Sequence, residues 1–110
     1  MRVALHSIIR DGHEAAYDAA HAAIPEDLVA SFERLGIHDW QIWRSGRDLF
    51  HLVDCDDFAA AMRALDDDPA NQRWQESINR HVDHFAASGP GAEGMVLPQV
   101  WSLAAQRDGA

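Results

Sequence analysis

The middle of the chain holds two strand-forming segments joined by a tight turn, and this feature constrains the fold more than any other. The segments cover residues 39–44 and 48–54, and Ser45-Gly46-Arg47 separates them. Aromatic and aliphatic runs that meet at a short, glycine-containing turn are typical of a β-hairpin. Residues 2–9 alternate loosely and are rich in Val, Leu and Ile, which predicts another strand. A chain of 110 residues is long enough for one core, and that core must therefore form around a sheet.

Two pairs of helices are predicted, one pair on each side of the hairpin. The alanine-rich residues 13–23 favour a helix, and Pro25 suits the first position of the next one. Beyond the hairpin, Asp56 or Asp57 can cap a third helix. Apolar residues recur at helical spacing over residues 71–85, which predicts a fourth helix.

A last strand over residues 95–103 completes the predicted order of strand, two helices, two strands, two helices and strand. This order is the split β-α-β arrangement, so we predict an α+β, ferredoxin-like fold with a four-stranded antiparallel sheet and helices on one face. We expect residues 1–103 to form a single domain and residues 104–110 to be a frayed tail. A second copy of the chain, packed on the uncovered sheet face, would make a dimeric α/β barrel-like assembly.

Three tryptophans and one histidine are predicted to lie on strands: Trp40, Trp43, His51 and Trp101. We expect these side chains to make the uncovered sheet face apolar. Such a face requires a partner, either a second copy of the chain or a ligand held in the curved sheet.

The charge of the chain restricts the partners that it can have. Nine Lys and Arg face eighteen Asp and Glu, and the formal net charge is −9. This balance argues against nucleic-acid phosphates and anionic membranes as partners. Cys55 is the sole cysteine, so an internal disulfide cannot form, and no apolar run approaches the length of a membrane span. We expect a cytoplasmic protein.

Tyr17 and His21 are four residues apart in a predicted helix, so both side chains project from one face. A phenol beside an imidazole can form hydrogen bonds and transfer protons. The same pair on an alanine-rich helix also fits simple packing, and from these residues alone both interpretations stay open.

Seven histidines in the chain raise the question of a metal site. His81 and His84 are three apart in the predicted fourth helix, a spacing that can ligate one metal ion, but no carboxylate motif of recognised spacing accompanies them. His6 and His51 lie on predicted strands and could meet across the sheet. The sequence has no glycine-rich phosphate loop, Rossmann fingerprint or nucleophile elbow. We predict neither a metal ion nor a cofactor.

From residue 2 to residue 103 the chain resembles the L-rhamnose mutarotase family. The most specific block is Tyr17-x-x-x-His21 followed by Ile24-Pro25-Glu26. The other matching blocks, in order, are Gly36-Ile37, Gln41-Ile42-Trp43, Asp48-Leu49-Phe50, Gln72-Arg73-Trp74 and Val100-Trp101-Ser102-Leu103. The order and spacing of these blocks carry the resemblance.

The resemblance implies an enzyme that interconverts the α and β anomers of a 6-deoxy-L-hexose without a cofactor. It implies that His21 is the proton donor and that Tyr17, Trp40 and Trp74 bind the sugar. It also implies a ferredoxin-like domain that forms a homodimer, in agreement with the predicted topology.

Three positions depart from the family pattern. The family usually has Trp where this chain has Ile24, often a second Trp where it has Gln75, and often Tyr where it has Trp40. Residues 36–37 and 44–46 also look like relatives that act on L-fucose. L-rhamnose is therefore the first candidate substrate and L-fucose the second.

Two other functions remain open. Dimeric ferredoxin-like domains of this size include small monooxygenases and haem-binding proteins, for which histidines and tryptophans near a sheet are equally suitable. A non-catalytic module that binds a small ligand is the third possibility, and in it Tyr17 and His21 would only pack.

Overall fold

Alternation along the central strands sorts their side chains onto two faces of a sheet. In the computed structural model, which describes residues 1–109, every second residue of β1 (Arg2–Ile9) is buried. β3 (Asp48–Cys55) shows the same pattern. With β2 (Ile37–Ser45) and β4 (Val82–Phe85), these strands form one antiparallel sheet in the order β2-β3-β1-β4. The predicted α+β fold with a four-stranded antiparallel sheet is confirmed.

Helices cover the face of the sheet that carries the buried residues. Two of them, α1 (Glu14–Ala20) and α2 (Glu26–Arg34), precede the hairpin, and α3 (Phe58–Asp66) and α4 (Pro69–Ile78) follow it. The Asp57 side chain accepts a hydrogen bond from the backbone N–H of Ala60 and so caps α3. No helix of residues 1–109 is both long and apolar enough to cross a membrane.

Apolar side chains of the covered face form two clusters. The larger cluster consists of Val3, Leu5, Ile37, Val53, Cys55, Phe58, Ala61 and Leu65. The smaller cluster consists of Ile9, Tyr17, Leu49 and Ile78. Each cluster takes residues from both β1 and β3, and a buried polar residue marks the boundary on each strand, Ser7 on β1 and His51 on β3. The core is therefore divided by a polar boundary across its two central strands.

The prediction of a fourth helix over residues 71–85 was wrong beyond Ile78. Residues Val82–Phe85 form β4, which pairs with β1. An unpaired strand edge leaves backbone N–H and C=O groups without partners, and β4 supplies partners for the second half of β1. Ser7 pairs with Phe85 and Ile9 with Val82 in this ladder. The need to pair this edge outweighs the helical spacing of the apolar residues.

The strand predicted over residues 95–103 was also wrong. Val96 makes only an isolated bridge to Leu5, and the backbone N–H of Leu97 donates to the carbonyl oxygen of Ala4 at 2.8 Å. Pro98 follows directly and has no N–H to continue a ladder.

Short helices occupy much of the remaining C-terminal part. α5 (Gly91–Met95) precedes the bridge to β1, and α6 (Leu103–Arg107) overlaps residues 104–107 of the predicted frayed tail. The Ser102 side chain accepts from the N–H of Ala105 and caps α6. Trp101 lies outside any strand, contrary to the prediction, and its indole N–H donates to the side chain of Gln106 at 2.9 Å.

A β-bulge at the start of β2 decides which way Trp40 faces. Ile37 lies opposite Cys55, but Asp39 lies opposite Asp54, so one extra residue of β2 occupies this step. Trp40 consequently lies opposite Val53, on the covered face. The prediction that Trp40 and His51 lie on the open face was wrong, because both belong to the helix-covered side.

The open face of the sheet carries a row of rings across three strands. Trp43 lies opposite Phe50, and these side chains are 53% and 42% exposed. His6 lies opposite Phe50 on the other side and stacks on it, with ring centroids 4.8 Å apart. The predicted apolar character of this face therefore rests on Trp43 and Phe50, and not on Trp40, His51 or Trp101.

Replacing Asp57 by Ala should lower the free energy of unfolding by about 1 kcal/mol, because the N–H of Ala60 loses the side-chain acceptor that caps α3. Chemical denaturation followed by circular dichroism measures the change. Asp57→Asn is the matched control and should retain most of the stability, since Asn caps helices as well as Asp does. Equal losses in the two variants would contradict the capping role.

Candidate active site

Three rings lie together where α1 approaches α4. Tyr17 is in the last turn of α1, and His21 is the residue at which this helix ends. Their rings stack with centroids 4.3 Å apart, as expected for side chains four residues apart on a helix. Trp74, from α4, meets His21 edge-on at 5.2 Å. The structure thus brings together three of the four site residues predicted from the sequence.

An ion pair with the sheet fixes the position of α1. The Nε and Nη2 atoms of Arg44 donate to the two carboxylate oxygens of Asp18, at 2.9 Å and 2.7 Å. Such two-point contacts set orientation as well as distance. The hydrogen bonds from Arg44 hold the pKa of Asp18 below its usual range. The carboxylate next in sequence to Tyr17 therefore serves to hold the helix.

The hydrogen bond of His21 determines which of its ring nitrogens can react. Nδ1 lies 3.1 Å from the backbone carbonyl oxygen of Tyr17. A carbonyl only accepts, so Nδ1 carries the proton and Nε2 of the neutral ring is an acceptor. Burial lowers the pKa of His21 below its ordinary 6.5, and this effect outweighs the bond to the carbonyl, which raises it. Near neutral pH the His21 ring is therefore neutral, and Nε2 is the nitrogen that can accept a proton.

Tyr17 keeps its proton. The side chain is buried among the residues of the smaller cluster, and this burial, followed by the nearby Asp18 charge, raises its pKa to about 12. A phenol with such a pKa remains neutral and donates hydrogen bonds at physiological pH. Tyr17 can therefore orient a ligand but does not act as a base.

Trp40, the fourth predicted site residue, lies in a second group of contacts. Its indole Nε1 donates to Nδ1 of His51 at 3.1 Å, and Nε2 of His51 lies 2.9 Å from Oγ of Ser7. The ring of Phe32, from α2, stacks on Trp40 with centroids 5.8 Å apart. The ring centroid of Phe85 lies 5.4 Å from that of His51.

The partners of His51 fix its tautomer. An indole N–H can only donate, so Nδ1 of His51 must accept. A neutral imidazole then carries its proton on Nε2, which donates to Oγ of Ser7. Burial lowers the pKa of His51 to about 4, so the ring is neutral at physiological pH.

The two groups of contacts border the polar boundary between the two core clusters. Tyr17 belongs to the smaller cluster and Trp74 packs against it, whereas Trp40 packs against the larger one. After burial, the charge of His21 is the next contribution to the lowered pKa of His51, so the two imidazoles interact electrostatically. The candidate site therefore lies over this boundary. Within residues 1–109, Nε2 of His21 has no protein partner, whereas both ring nitrogens of His51 are hydrogen-bonded.

Ser7 and the hydrogen bonds of His51 were not predicted from the sequence. A signal was present, because Ser7 interrupts the apolar positions of β1 and His51 those of β3. Two polar residues at buried positions of neighbouring strands indicate a pair that must satisfy its own hydrogen bonds.

The remaining histidine predictions need correction. His6 and His51 do not meet across the sheet, because they point to opposite faces, and His6 instead bonds Asp48 at 2.8 Å. His81 and His84 do not share a helix, since α4 ends before them. Nδ1 of His81 lies 3.0 Å from Nδ1 of His13. Within residues 1–109, no three His, Cys, Asp or Glu side chains are grouped so as to hold a metal ion.

Comparison with known proteins identifies the family. A sequence model of the family described as L-rhamnose mutarotase matches residues 2–103. The chain belongs to the L-rhamnose mutarotase family. Its members are carbohydrate isomerases, and mutarotation is therefore the class of reaction that this protein catalyses. Among curated proteins, no sequence match was found.

Solved structures share the fold at low sequence identity. The L-rhamnose mutarotase of Formosa agariphila matches with a TM-score of 0.71 and 14% identity, over 94% of this chain and 98% of that one. Tetracenomycin F2 cyclase of Streptomyces glaucescens gives a TM-score of 0.66 and 16% identity, over 93% and 95%. An uncharacterised NIPSNAP domain protein of Burkholderia xenovorans gives 0.59 and 15%, over 94% and 96%. At these identities the likeness establishes the fold.

Titration of the histidines by NMR should separate three environments. His51 should stay neutral down to about pH 4 and His21 should titrate below 6.5, because burial disfavours both charged forms. Exposed His38 should titrate above 6.5, since the carboxylate of Asp56 stabilises its charge. Long-range ¹H–¹⁵N correlation spectra report both charge and tautomer. A titration midpoint near pH 6.5 for His51 would contradict the burial of its hydrogen bonds to Trp40 and Ser7.

Proposed function

We propose that this protein interconverts the α and β anomers of a 6-deoxy-L-hexose, with L-rhamnose as the first candidate and L-fucose as the second. The observation that carries the proposal is the stacked pair of Tyr17 and His21, in which Nδ1 of His21 bonds the carbonyl oxygen of Tyr17 and leaves Nε2 as an acceptor. Membership of the L-rhamnose mutarotase family supports the substrate class.

The chemistry needs one group that accepts and returns a proton. In the proposed reaction, Nε2 of His21 removes the proton of the anomeric hydroxyl while the bond between C1 and the ring oxygen breaks. The electron pair of that bond moves to the ring oxygen, and the imidazolium form of His21 then protonates this oxygen. Rotation about the C1–C2 bond and reversal of these steps on the other face of the aldehyde give the second anomer. The lowered pKa of His21 suits this cycle, because the resting ring is a base and its protonated form a ready acid.

The neighbouring rings bind the sugar in this proposal. Tyr17 keeps its phenol proton and donates a hydrogen bond to a sugar oxygen. Trp74 and Trp40 offer aromatic surface to the apolar C–H faces of the ring, which is the usual complement to a sugar. No step requires a cofactor, because the reaction only moves a proton and reverses a hemiacetal bond.

Replacing His21 by Asn should lower the catalysed exchange between anomers by roughly 10²- to 10⁴-fold, since a single general acid–base group contributes about this much. Saturation transfer between the α and β anomeric protons of L-rhamnose, and then of L-fucose, measures the rate. His84→Asn is the matched control, because His84 is an exposed histidine of β4 that bonds Asp83. Unchanged exchange in a folded His21→Asn variant would remove the catalytic assignment. No exchange of either sugar by the unaltered protein would remove the proposed substrates.

We also propose that two copies of the chain associate through the open sheet face. The exposed rings of Trp43 and Phe50 lie side by side on neighbouring strands, and apolar surface of this kind is stabilised when it is buried. A second copy offers the same row of rings, as a twofold interface requires.

Trp43→Arg should convert the proposed dimer into a monomer, because two like charges would meet at the twofold contact. Sedimentation velocity measures the change in mass. Val29→Arg is the control, since Val29 is 41% exposed but lies on α2, on the helical side of the molecule. A dimer that persists in Trp43→Arg, or one that is lost equally in Val29→Arg, would refute this interface.

A further inference from the structure

We infer that His51 is a positioning residue for Trp40, holding the indole ring in place for the sugar, and that Ser7 in turn holds His51. The inference rests on the proposed function, because the binding that Trp40 assists is that of the sugar. It adds two residues to the binding machinery, and neither touches the sugar in this arrangement.

The two hydrogen bonds that join Trp40, His51 and Ser7 can run in only one direction. Trp40 donates to Nδ1 of His51 at 3.1 Å, and Nε2 of His51 then carries the proton that goes to Ser7 at 2.9 Å. If Ser7 were absent, the proton could move to Nδ1 and the bond to the indole would be lost. Ser7 therefore selects the tautomer on which the position of Trp40 depends.

The hydrogen bonds of His51 are buried, so water cannot replace a lost partner without a cost in free energy. Ser7 is 0% and His51 5% exposed, and they lie on adjacent strands beneath the helices. A buried donor that loses its acceptor costs more than the bond contributes when it is made. Without the acceptor on His51, the indole ring is expected to rotate so that its N–H reaches water. This rotation would break the stacking contact with Phe32.

Trp40 presents a sugar with the carbon surface of its indole ring. Because its N–H is already bonded to His51, the indole meets a ligand with carbon surface and not with a hydrogen-bond donor. Phe32 stacks on one face of the indole with an interplanar angle of 24°. His51 meets it edge-on at 79°. The ring is thus restrained by one stacking contact and one directional bond, and removal of the bond leaves only the stacking contact.

The test compares the half-saturating sugar concentration with the maximal exchange rate. His51→Leu should raise the half-saturating concentration by about three- to tenfold, the loss expected for one hydrogen bond, while the maximal rate is unchanged. His51→Gln should restore it, because the amide oxygen accepts from Trp40 and the amide nitrogen donates to Ser7. In a Trp40→Phe background, His51→Leu should have no further effect. His84→Leu, at an exposed histidine of β4, should change neither quantity.

Two outcomes of this comparison would overturn the inference. One is an undiminished effect of His51→Leu in the Trp40→Phe background, which would mean that His51 does not act through Trp40. The other is a fall in the maximal rate that His51→Gln does not restore, which would mean that His51 only supports the fold.

A measurement without sugar keeps this inference separate from the proposed function. The indole N–H signal of Trp40 in the NMR spectrum should shift, and its exchange with solvent should accelerate, in His51→Leu but not in His51→Gln. If the unaltered protein exchanges neither sugar, the proposed function fails and this signal still decides the inference. An indole signal that is unchanged in His51→Leu would overturn it.

Discussion

The hydrogen bond between Ser7 and His51 is the buried polar contact around which the core beneath the candidate site is arranged. Both side chains occupy core positions on the two central strands, where an unpaired polar group would be costly. By bonding each other at 2.9 Å they make these positions tolerable, and they also divide the core into two clusters. The division separates the rings of α1 and α4 from the indole of β2. With apolar residues in place of Ser7 and His51, the two clusters would form one continuous core with no polar groups between them.

His21 and His51, the two histidines nearest this boundary, differ in how the protein surrounds their imidazole rings. Burial lowers the pKa of both, so both are neutral at physiological pH. His51 has a protein partner for each ring nitrogen and cannot exchange a proton without breaking one of these bonds. Within residues 1–109, the His21 side chain bonds through Nδ1 alone, to the carbonyl oxygen of Tyr17, and its Nε2 has no protein partner. The number of ring nitrogens that the protein occupies, more than the pKa, distinguishes the two imidazoles.

Sequence patterns correctly predicted the features that depend on interactions between residues close in sequence. The hairpin, the cap at Asp57 and the pairing of Tyr17 with His21 depend on residues close in sequence, and all are present. The fourth strand could not be predicted in this way, because its apolar spacing also fits a helix and the unpaired edge of β1 decides the outcome. The chain from Ser7 through His51 to Trp40 joins three strands. These three side chains meet because of the strand register and one bulge, which no local pattern reveals.

The bulge at the start of β2 makes the length of this strand as important as its composition. His38 is the extra residue, so a relative lacking one residue there could reach the same arrangement by regular pairing. Losing one residue between Trp40 and the hairpin turn is a different matter, because side chains alternate with a period of two. Such a loss would exchange the inner and outer sets of side chains over the rest of the strand, placing Trp43 towards the helices. We therefore expect the loss of one residue to be tolerated among relatives at His38 and avoided between Trp40 and the turn.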